Sequence, residues 1–231
     1  MLILAFDTSQ SFSSVAILKG ETILAESIKY AKKNNSEVIL SAILQANKEA
    51  NVTFKDFDYI AVTVGPGSFT GVRVGIALAK AFKLSLKIPI IGISSLHVLA
   101  AGAERRNINN NNILVLNDAG LGEFFSQIFD PFLDPINKPS RKKINEIEQE
   151  IQDDNILITG NAFDIIKSLS NKSNSRKIDL NIISKKDIYP SAKDLAKLSL
   201  KFLKKSNTSS LTTSLNPLYL RPHYAKIKNS V

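Results

Sequence analysis

The sequence predicts an α/β protein built from two diverged copies of a βββαβα unit. Continuous apolar runs indicate buried strands, and apolar residues at helical spacing indicate amphipathic helices after them. The third observation is an internal repeat, because Leu2–Leu18 is similar to Ile113–Phe129. The repeat places Asp7 over Asp118, 111 residues later. Two unrelated α/β domains are the alternative.

The first copy begins with three predicted strands. Leu2–Phe6 is continuously apolar, as expected of a strand buried on both faces. The turn-prone segment Asp7–Ser11 leads into a second apolar strand, Ser14–Leu18. A turn at Lys19–Glu21 then leads to a third strand, Thr22–Ile28.

Two helices and two further strands complete the first copy. Apolar residues at helical spacing predict a helix over Ser36–Ala50, and Tyr59–Val64 follows as a buried strand. A second helix is predicted over Phe69–Leu86. Pro89 then opens the strand Ile90–Ile93.

The second copy repeats parts of this order. Asn155–Gly160 matches Tyr59–Gly65, and a helical stretch follows over Ala162–Leu169. A final amphipathic helix is predicted over Ser191–Leu203, with Ser191 as its N-cap. Such a duplication is typical of the actin-like fold (ASKHA, ribonuclease H-like), which actin, sugar kinases and the Hsp70 ATPase share.

We therefore expect two domains, 1–105 and 106–231, of which the second has diverged further. The boundary is predicted in the polar stretch Glu104–Asn112, and Lys172–Ser175 is predicted to be a solvated loop. The tail, 215–231, is expected to pack back on the first domain.

Composition indicates a globular protein of a reducing compartment. Hydrophobic residues make up 44% of the chain, and there is no cysteine for a disulfide or a thiolate metal site. No apolar run approaches the ~18 residues of a spanning helix, and Met1–Phe6 has no basic leader, so we expect a cytoplasmic protein without membrane contact. The net charge of +9 suits nucleic acid or an acidic partner, but a compositional bias toward Lys, Asn and Ile explains it equally well.

The most informative motif is the glycine-rich stretch Val64–Gly75. In its Gly-Pro-Gly-Ser loop, 65–68, the two glycines permit backbone angles that other residues cannot adopt, and the proline restricts the turn. The serine is expected to cap the following helix. Gly71, Gly75 and Ala79 recur every four residues, which predicts close packing of this helix within the fold or against a partner. Neither a P-loop nor a Rossmann fingerprint is present, and weak anion binding at the helix start is the alternative.

Four polar residues on the two predicted hairpins are candidates for binding a nucleotide: Asp7, Thr8, Ser9 and Asp118. In an actin-like cleft the two aspartates could hold Mg²⁺. Because the first loop lacks a glycine that would let backbone approach a phosphate, turn capping by the aspartates is favoured. A stand-alone actin-like ATP-dependent phosphotransferase is therefore the weaker alternative.

The two histidines, His97 and His223, do not predict a metal site. They are far apart in the sequence and lack the i, i+4 spacing of a helical metal-binding pair. His97 is expected to be a packing or surface residue, and His223 an exposed tail residue. We expect neither a bound metal nor a Ser-His-Asp set.

Five short motifs together resemble the TsaB/YeaZ family: Asp7-Thr8-Ser9, Asn35-Ser36-Glu37, the Gly-Pro-Gly-Ser-Phe-Thr-Gly-x-Arg pattern at 65–73, the segment 88–96, and Pro217–Arg221. The resemblance is strong over residues 1–100 and patchy beyond them. The chain departs from the family at Asn35, where a histidine is usual, and at Gly120 and Leu121, where arginines are usual. The last two changes put in doubt any anion or partner contact of that hairpin.

The resemblance implies a function. TsaB-like proteins pair with the catalytic paralogue TsaD, and with the ATPase TsaE the complex transfers a threonylcarbamoyl group to N6 of adenosine 37 in tRNA. By this resemblance the chain is a non-catalytic subunit that meets tRNA indirectly. It is expected to need no cofactor, apart from a weakly bound nucleotide at the partner interface. A second copy is expected to take the partner's place when TsaD is absent.

The resemblance also places the partner surface on the two helices of the first copy. One face of each helix must cover the sheet. The remaining parts of the two helices are expected to form a four-helix contact with TsaD, or with a second copy of the chain when TsaD is absent. The partner-binding residues implied are Ser36, Glu37, Ile39, Leu40, Ile43, Ala46, Phe69, Gly71, Val72, Arg73, Gly75, Ala79 and Phe82.

Overall fold

The structure, a computed structural model, describes residues 1–30, 35–105, 107, 109–150, 156–162, 189–205 and 215–220. Within these ranges there are two β-sheets with helices between and outside them. The strands are β1 (Leu2–Asp7), β2 (Phe12–Lys19), β3 (Thr22–Tyr30), β4 (Tyr59–Thr63), β5 (Ile90–Ile93), β6 (Asn112–Gly120), β7 (Glu123–Phe129), β8 (Ser140–Lys143) and β9 (Ile156–Thr159). The helices are α1 (Asn35–Glu49), α2 (Phe69–Leu86), α3 (Ser95–Glu104), α4 (Ile144–Glu150) and α5 (Ala192–Lys205), with a 3₁₀ helix at Phe54–Asp56.

The first sheet has the strand order β3-β2-β1-β4-β5. β1, β2 and β3 form an antiparallel meander, with Leu4 opposite Ile17 in the first hairpin. β4 runs parallel to β1, with Ile3 beside Tyr59, and β5 runs parallel to β4. Parallel neighbours require crossover connections, which α1 and α2 provide.

The second sheet confirms the predicted duplication. Its strand order, β8-β7-β6-β9, and its strand directions reproduce β3-β2-β1-β4 of the first sheet. Asp7 and Asp118 lie on the equivalent strands β1 and β6, as predicted. The architecture is thus the duplicated actin-like α/β fold expected from the sequence.

The register of the second hairpin differs from the first by one residue. Asp7 lies opposite Ser14, whereas Asp118 lies opposite Phe124 and not Phe125, the residue 111 positions after Ser14. Since a slip of one residue turns a side chain to the other face of a sheet, the two aspartates point to non-equivalent sides. Asp7 is buried, and Asp118 is exposed.

Three apolar layers hold the elements together. α1 and α2 cover one face of the first sheet, where Ile39 and Ile43 pack with Phe6. α3 and α5 lie between the two sheets, and Leu96 and Leu195 belong to this central layer. A smaller cluster lies on the outer face of the second sheet. Because α5 contacts β1 and β2, a helix from the end of the chain completes the cover of the first sheet.

Most predicted boundaries in the first copy are confirmed within one or two residues. α2 and β5 have the predicted bounds, and α1 is displaced by one residue at each end. Ser191 caps α5 as predicted, since its Oγ accepts from Lys193 N at 3.2 Å. Three predicted segments lie outside the described residues: positions 163–169 of the predicted helical stretch 162–169, the predicted loop 172–175, and positions 221–231 of the tail. α3 ends at Glu104 and β6 begins at Asn112, while the domain limits stay a prediction.

Candidate functional site

The loop before α2 is shaped by its contact with the β1–β2 turn. Ser68 N donates to Ser9 O at 2.7 Å, and a side chain at Gly67 would collide with that same carbonyl oxygen. Ser68 caps the helix as predicted, because its Oγ accepts from Gly71 N at 3.3 Å. The glycine-rich motif therefore seats the start of α2 directly on the first hairpin.

The small-residue stripe of α2 faces into the protein. Thr8 Oγ1 donates to Gly71 O at 2.7 Å, and a Cβ at Gly75 would lie 2.6 Å from Thr8 Oγ1. Ala79 is fully buried on the same side of the helix. Of the two roles that the sequence left open for this stripe, close packing within the fold is the one it fulfils.

This burial corrects part of the partner-binding assignment. The assigned residues that lie in the chain's own core are Ile39, Ile43 and Ala46 of α1 and Gly71, Val72, Gly75 and Ala79 of α2. Covering the sheet uses these faces, so their side chains cannot contact a partner in the folded chain. Of the other assigned residues, Phe82 is half-buried, and the centre of its ring lies 5.1 Å from that of Phe54. The side chain of Ser36 lies outside the described part of the chain.

The opposite sides of the two helices form an exposed surface, which we name the outer helical face. On α1 it includes Glu37, Leu40 and Leu44, and the two leucines are 42% and 53% exposed. On α2 it includes Phe69, 48% exposed, and Leu84, 83% exposed. The exposed residues Arg73, Ala77, Lys80 and Ala81 continue it along α2.

Five exposed residues of the outer helical face are not among those predicted from the sequence: Ala77, Lys80, Ala81, Leu44 and Leu84. The signal was present in the sequence, because Leu40 and Leu44 form their own i, i+4 pair beside the buried stripe. Two adjacent apolar stripes on one helix do not reveal which one faces the sheet. Only the packing in the structure distinguishes them.

An aromatic cluster ties the C-terminal segment to this surface. The guanidinium carbon of Arg73 lies 3.7 Å from the centre of the Phe69 ring, and Arg73 Nε donates to Tyr219 Oη at 2.7 Å. Leu218 N donates to Val64 O at 2.7 Å. Segment 215–220 thus lies against the glycine-rich loop and adds Tyr219 to the edge of the outer helical face.

Asp7 is a buried carboxyl group at the end of β1. It accepts hydrogen bonds from the Thr63 hydroxyl and, at 3.2 Å, from Ser9 N. Burial raises the pKa of Asp7 to about 6, and the contacts with Thr63 and Ser9 oppose that rise only in part. Among the nucleotide candidates, Asp7, Thr8 and Ser9 are all buried and contact one another or α2.

Gln10 connects the first hairpin to the second copy. Its Nε2 donates to Asn117 Oδ1 at 3.0 Å, and its Oε1 accepts from Asn161 Nδ2 at 3.4 Å. Asn161 Oδ1 in turn accepts from Asp118 N at 2.6 Å. This bridge was not predicted, because Gln10 is separated from Asn117 by 107 residues and from Asn161 by 151 residues.

Asp118 does not join Asp7 in a common site. Its Oδ1 accepts from Gly120 N at 2.7 Å, which is the turn-capping role that the sequence favoured. Within the described residues no group of three or more His, Asp or Glu side chains is arranged to hold a metal ion. In the same ranges no helix combines the length and apolar character needed to cross a bilayer.

His97 is a packing residue, as predicted. Its ring lies 4.7 Å from that of Phe129 and 5.2 Å from that of Phe202, in the layer between the sheets. Burial lowers the pKa of His97 to about 4, so the ring is neutral at physiological pH. The other histidine, His223, lies outside the described residues.

Known proteins resemble this chain over most of its length. A family model described as "TsaD: tRNA N6-adenosine threonylcarbamoyltransferase" matches residues 23–229. The tRNA threonylcarbamoyladenosine biosynthesis protein TsaB of Buchnera aphidicola subsp. Schizaphis graminum is 36% identical over 200 residues, which cover 84% of this chain and 90% of that protein. The protein of the same name from Bacillus subtilis is 34% identical over 158 residues, 68% of this chain and 63% of its own length. The solved structure of YeaZ from Pseudomonas aeruginosa has the same fold, with a TM-score of 0.79 and 22% identity over 95% of this chain and 99% of that one.

Proposed function

Because this chain belongs to the TsaB family of tRNA threonylcarbamoyladenosine biosynthesis proteins, we propose that it is the accessory subunit that binds and supports a TsaD-type catalytic paralogue. In this role it contributes no catalytic residue of its own. It contacts tRNA indirectly, through the complex, and the complex includes a TsaE-type ATPase in the cytoplasm.

The observation that carries the proposal is the outer helical face. Leu40, Leu44, Leu84 and Phe69 expose large apolar side chains on two neighbouring helices. Clustered exposed apolar groups on a globular protein commonly mark a contact with another protein. The opposite sides of both helices already cover the sheet, so this face is available for a partner.

The polar centre of the chain supports an accessory role over phosphotransfer. Asp7 and Thr8 are buried, and both form hydrogen bonds within the chain. Gln10 of the first copy forms hydrogen bonds with Asn117 and Asn161 of the second copy. A phosphotransferase would need an open cleft for the nucleotide between the two copies. A nucleotide would therefore bind weakly, at the interface with the partner, and the chain would hold no cofactor of its own.

The test is a titration of the purified chain with the TsaD-type protein of the same organism. Leu44→Asp and Leu84→Asp should each weaken the complex by about 2 kcal/mol or more, roughly thirtyfold in Kd, because each places a charge in the apolar centre of the contact. Leu121→Asp is the matched control, since Leu121 is 91% exposed on the β6–β7 turn, away from both helices. It should bind like the wild type.

The two functional candidates give opposite results in this system. Reconstituted threonylcarbamoyl transfer should require both proteins, and the chain alone should not transfer the group. Magnesium-dependent ATP turnover by the chain alone, lost in Asp7→Ala, would instead support the phosphotransferase. Equal binding by the two helix variants and the control would place the partner elsewhere on the molecule.

A further inference from the structure

The turn between β1 and β2, residues 8–11, holds the start of α2. Thr8 Oγ1 donates to Gly71 O at 2.7 Å, and Ser9 O accepts from Ser68 N at 2.7 Å. The side chains of Thr8 and Ser9 are both buried. Because these bonds fix backbone groups at the beginning of α2, a displacement of the β1–β2 turn displaces the start of the helix with it.

The next residue of this turn, Gln10, is bonded to the second copy. Its Nε2 donates to Asn117 Oδ1 at 3.0 Å, and its Oε1 accepts from Asn161 Nδ2 at 3.4 Å. Asn117 lies on β6, and Asn161 follows the end of the adjacent strand β9. Gln10 and Asn117 are 8% and 1% exposed, so breaking these bonds would leave buried polar groups without partners. The side chain of Gln10 is therefore anchored on the second sheet.

The equivalent turn of the second copy shows that closing such a hairpin does not require a residue of this kind. β6 and β7 are joined by two residues, Leu121 and Gly122, and the Leu121 side chain is 91% exposed. The β1–β2 turn has four residues, of which the first three are buried. Within the described residues, the side-chain partners of Gln10 both lie in the second copy. The longer turn thus serves a contact between the copies, beyond closing its own hairpin.

We propose that Gln10 is a positioning residue, through which the second copy fixes the start of α2 and with it Phe69 and Arg73 of the outer helical face. The proposal rests on the proposed function and adds a role in partner recognition for the second copy. Phe69 and Arg73 lie within one helical turn of Ser68 and Gly71, the two residues that the β1–β2 turn holds. Fixing them before the partner arrives lowers the entropy cost of binding.

The test replaces Gln10 by leucine, which keeps a side chain of similar size and removes both hydrogen bonds. Hydrogen–deuterium exchange then reports on the start of α2 through the amide of Ser68, which donates to Ser9 O. We expect this amide to exchange about tenfold faster in Gln10→Leu, because the turn that holds it is no longer anchored. The amide of Lys87, which is bonded at the other end of α2, is the internal reference and should exchange as in the wild type.

Binding to the TsaD-type protein supplies a second readout. Its Kd should be about tenfold higher for Gln10→Leu. Asn117→Leu should weaken binding to a similar extent, although Asn117 is a buried residue of the second sheet. If Gln10 acts through Asn117, the double variant should bind no more weakly than either single variant. Losses that add up in the double variant would contradict the proposed link.

Gln127→Leu is the matched control, because it removes another buried glutamine amide without changing the β1–β2 turn. Gln127 is 6% exposed, lies on β7, and donates to Asn137 O at 3.0 Å within the second copy. It should lower the melting temperature, yet leave Ser68 exchange and partner affinity at their wild-type values. Equal effects of Gln127→Leu and Gln10→Leu on both readouts would indicate a general loss of stability and overturn the proposal.

Unchanged exchange at Ser68 in a folded Gln10→Leu chain would also overturn the proposal, while leaving the proposed function intact. If Gln10→Leu does not fold, Asn161→Ala takes its place, since it removes only the longer of the two Gln10 bonds, at a half-buried residue. It should speed Ser68 exchange about threefold, and an unchanged rate would again overturn the proposal. A wild-type chain that does not bind the TsaD-type protein would instead overturn the proposed function, and the role of Gln10 in recognition with it.

Discussion

The carboxyl group of Asp7 illustrates how a single residue links the fold to its surroundings. It is buried on all sides, and its hydrogen-bond donors, Thr63 and Ser9, belong to β4 and to the β1–β2 turn. A buried carboxyl whose pKa is raised prefers to be protonated in the folded state. The folded chain then binds more protons than the unfolded chain between the two pKa values, and its stability falls as the pH rises through that window.

For Asp7 the window extends from 3.8 to about 6. Ionised Asp7 should therefore cost about 3 kcal/mol of unfolding free energy above pH 6, at about 1.4 kcal/mol per pKa unit. Asp7→Asn should gain stability relative to the wild type as the pH rises from 4 to 7, measured by urea unfolding at a series of pH values. Asp118→Asn, at an exposed aspartate on the equivalent strand, is the control and should change much less. A constant difference between Asp7→Asn and the wild type would show that burial does not control this group.

At the scale of elements, α2 has two faces with different tasks. Gly75 lies against Thr8 and Val62, whereas Ala77 is exposed two residues later. Gly75→Leu should destabilise the isolated chain by about 1–3 kcal/mol, because its side chain would enter a filled space. Ala77→Leu should leave the melting temperature nearly unchanged and weaken binding to the TsaD-type partner.

Thermal unfolding of both leucine variants, followed by partner titration, separates the two faces of α2. A Gly75→Leu chain that melts like the wild type would contradict the inward role of the glycine stripe. An Ala77→Leu chain that binds normally would move the contact away from the middle of α2.

The sequence predicted α1 and α2 well because their burial is one-sided, which gives a clear apolar period. β1, which is buried on both faces, was predicted from a short apolar run before a turn-prone aspartate. The bounds of α3 were not predicted, because its sequence, SLHVLAAGAE, is apolar around most of its circumference and packs between the sheets. Ile39 was assigned to the wrong surface for a related reason, since its stripe and that of Leu40 are both apolar and only tertiary packing distinguishes them.

At the scale of the whole molecule, the two copies are not independent. Ala5, Ala16 and Leu18 of the first sheet are fully buried in the layer that contains α3 and α5. Arg105 pairs with the buried Asp194 of α5, and Ser14 Oγ accepts from Ala192 N at 3.0 Å. The repeat in the sequence revealed the duplication, but contacts of this kind depend on tertiary structure that no local pattern encodes.

A fragment of residues 1–105 should therefore not fold cooperatively. Without α5, one face of β1 and β2 would expose its apolar side chains to water, at a cost of about 25 cal/mol for each Å² uncovered. Thermal melts followed by circular dichroism should be broad for the fragment and sharp for the full chain, and the fragment should bind a hydrophobic dye. A sharp melt of the fragment without dye binding would show that the first copy is self-sufficient.

The placement of α5 also has a consequence for the order of events during synthesis. β1, β2 and β3 are complete by residue 30, but the helix that covers them ends at residue 205. At roughly 5–20 residues added per second, about 9 to 35 seconds separate the emergence of the sheet's first strands from that of their cover. Throughout this interval the inner face of the nascent sheet is open to chaperones or to misplaced contacts. α1 and α2, which cover the other face, emerge within its first third, since α2 ends at Leu86.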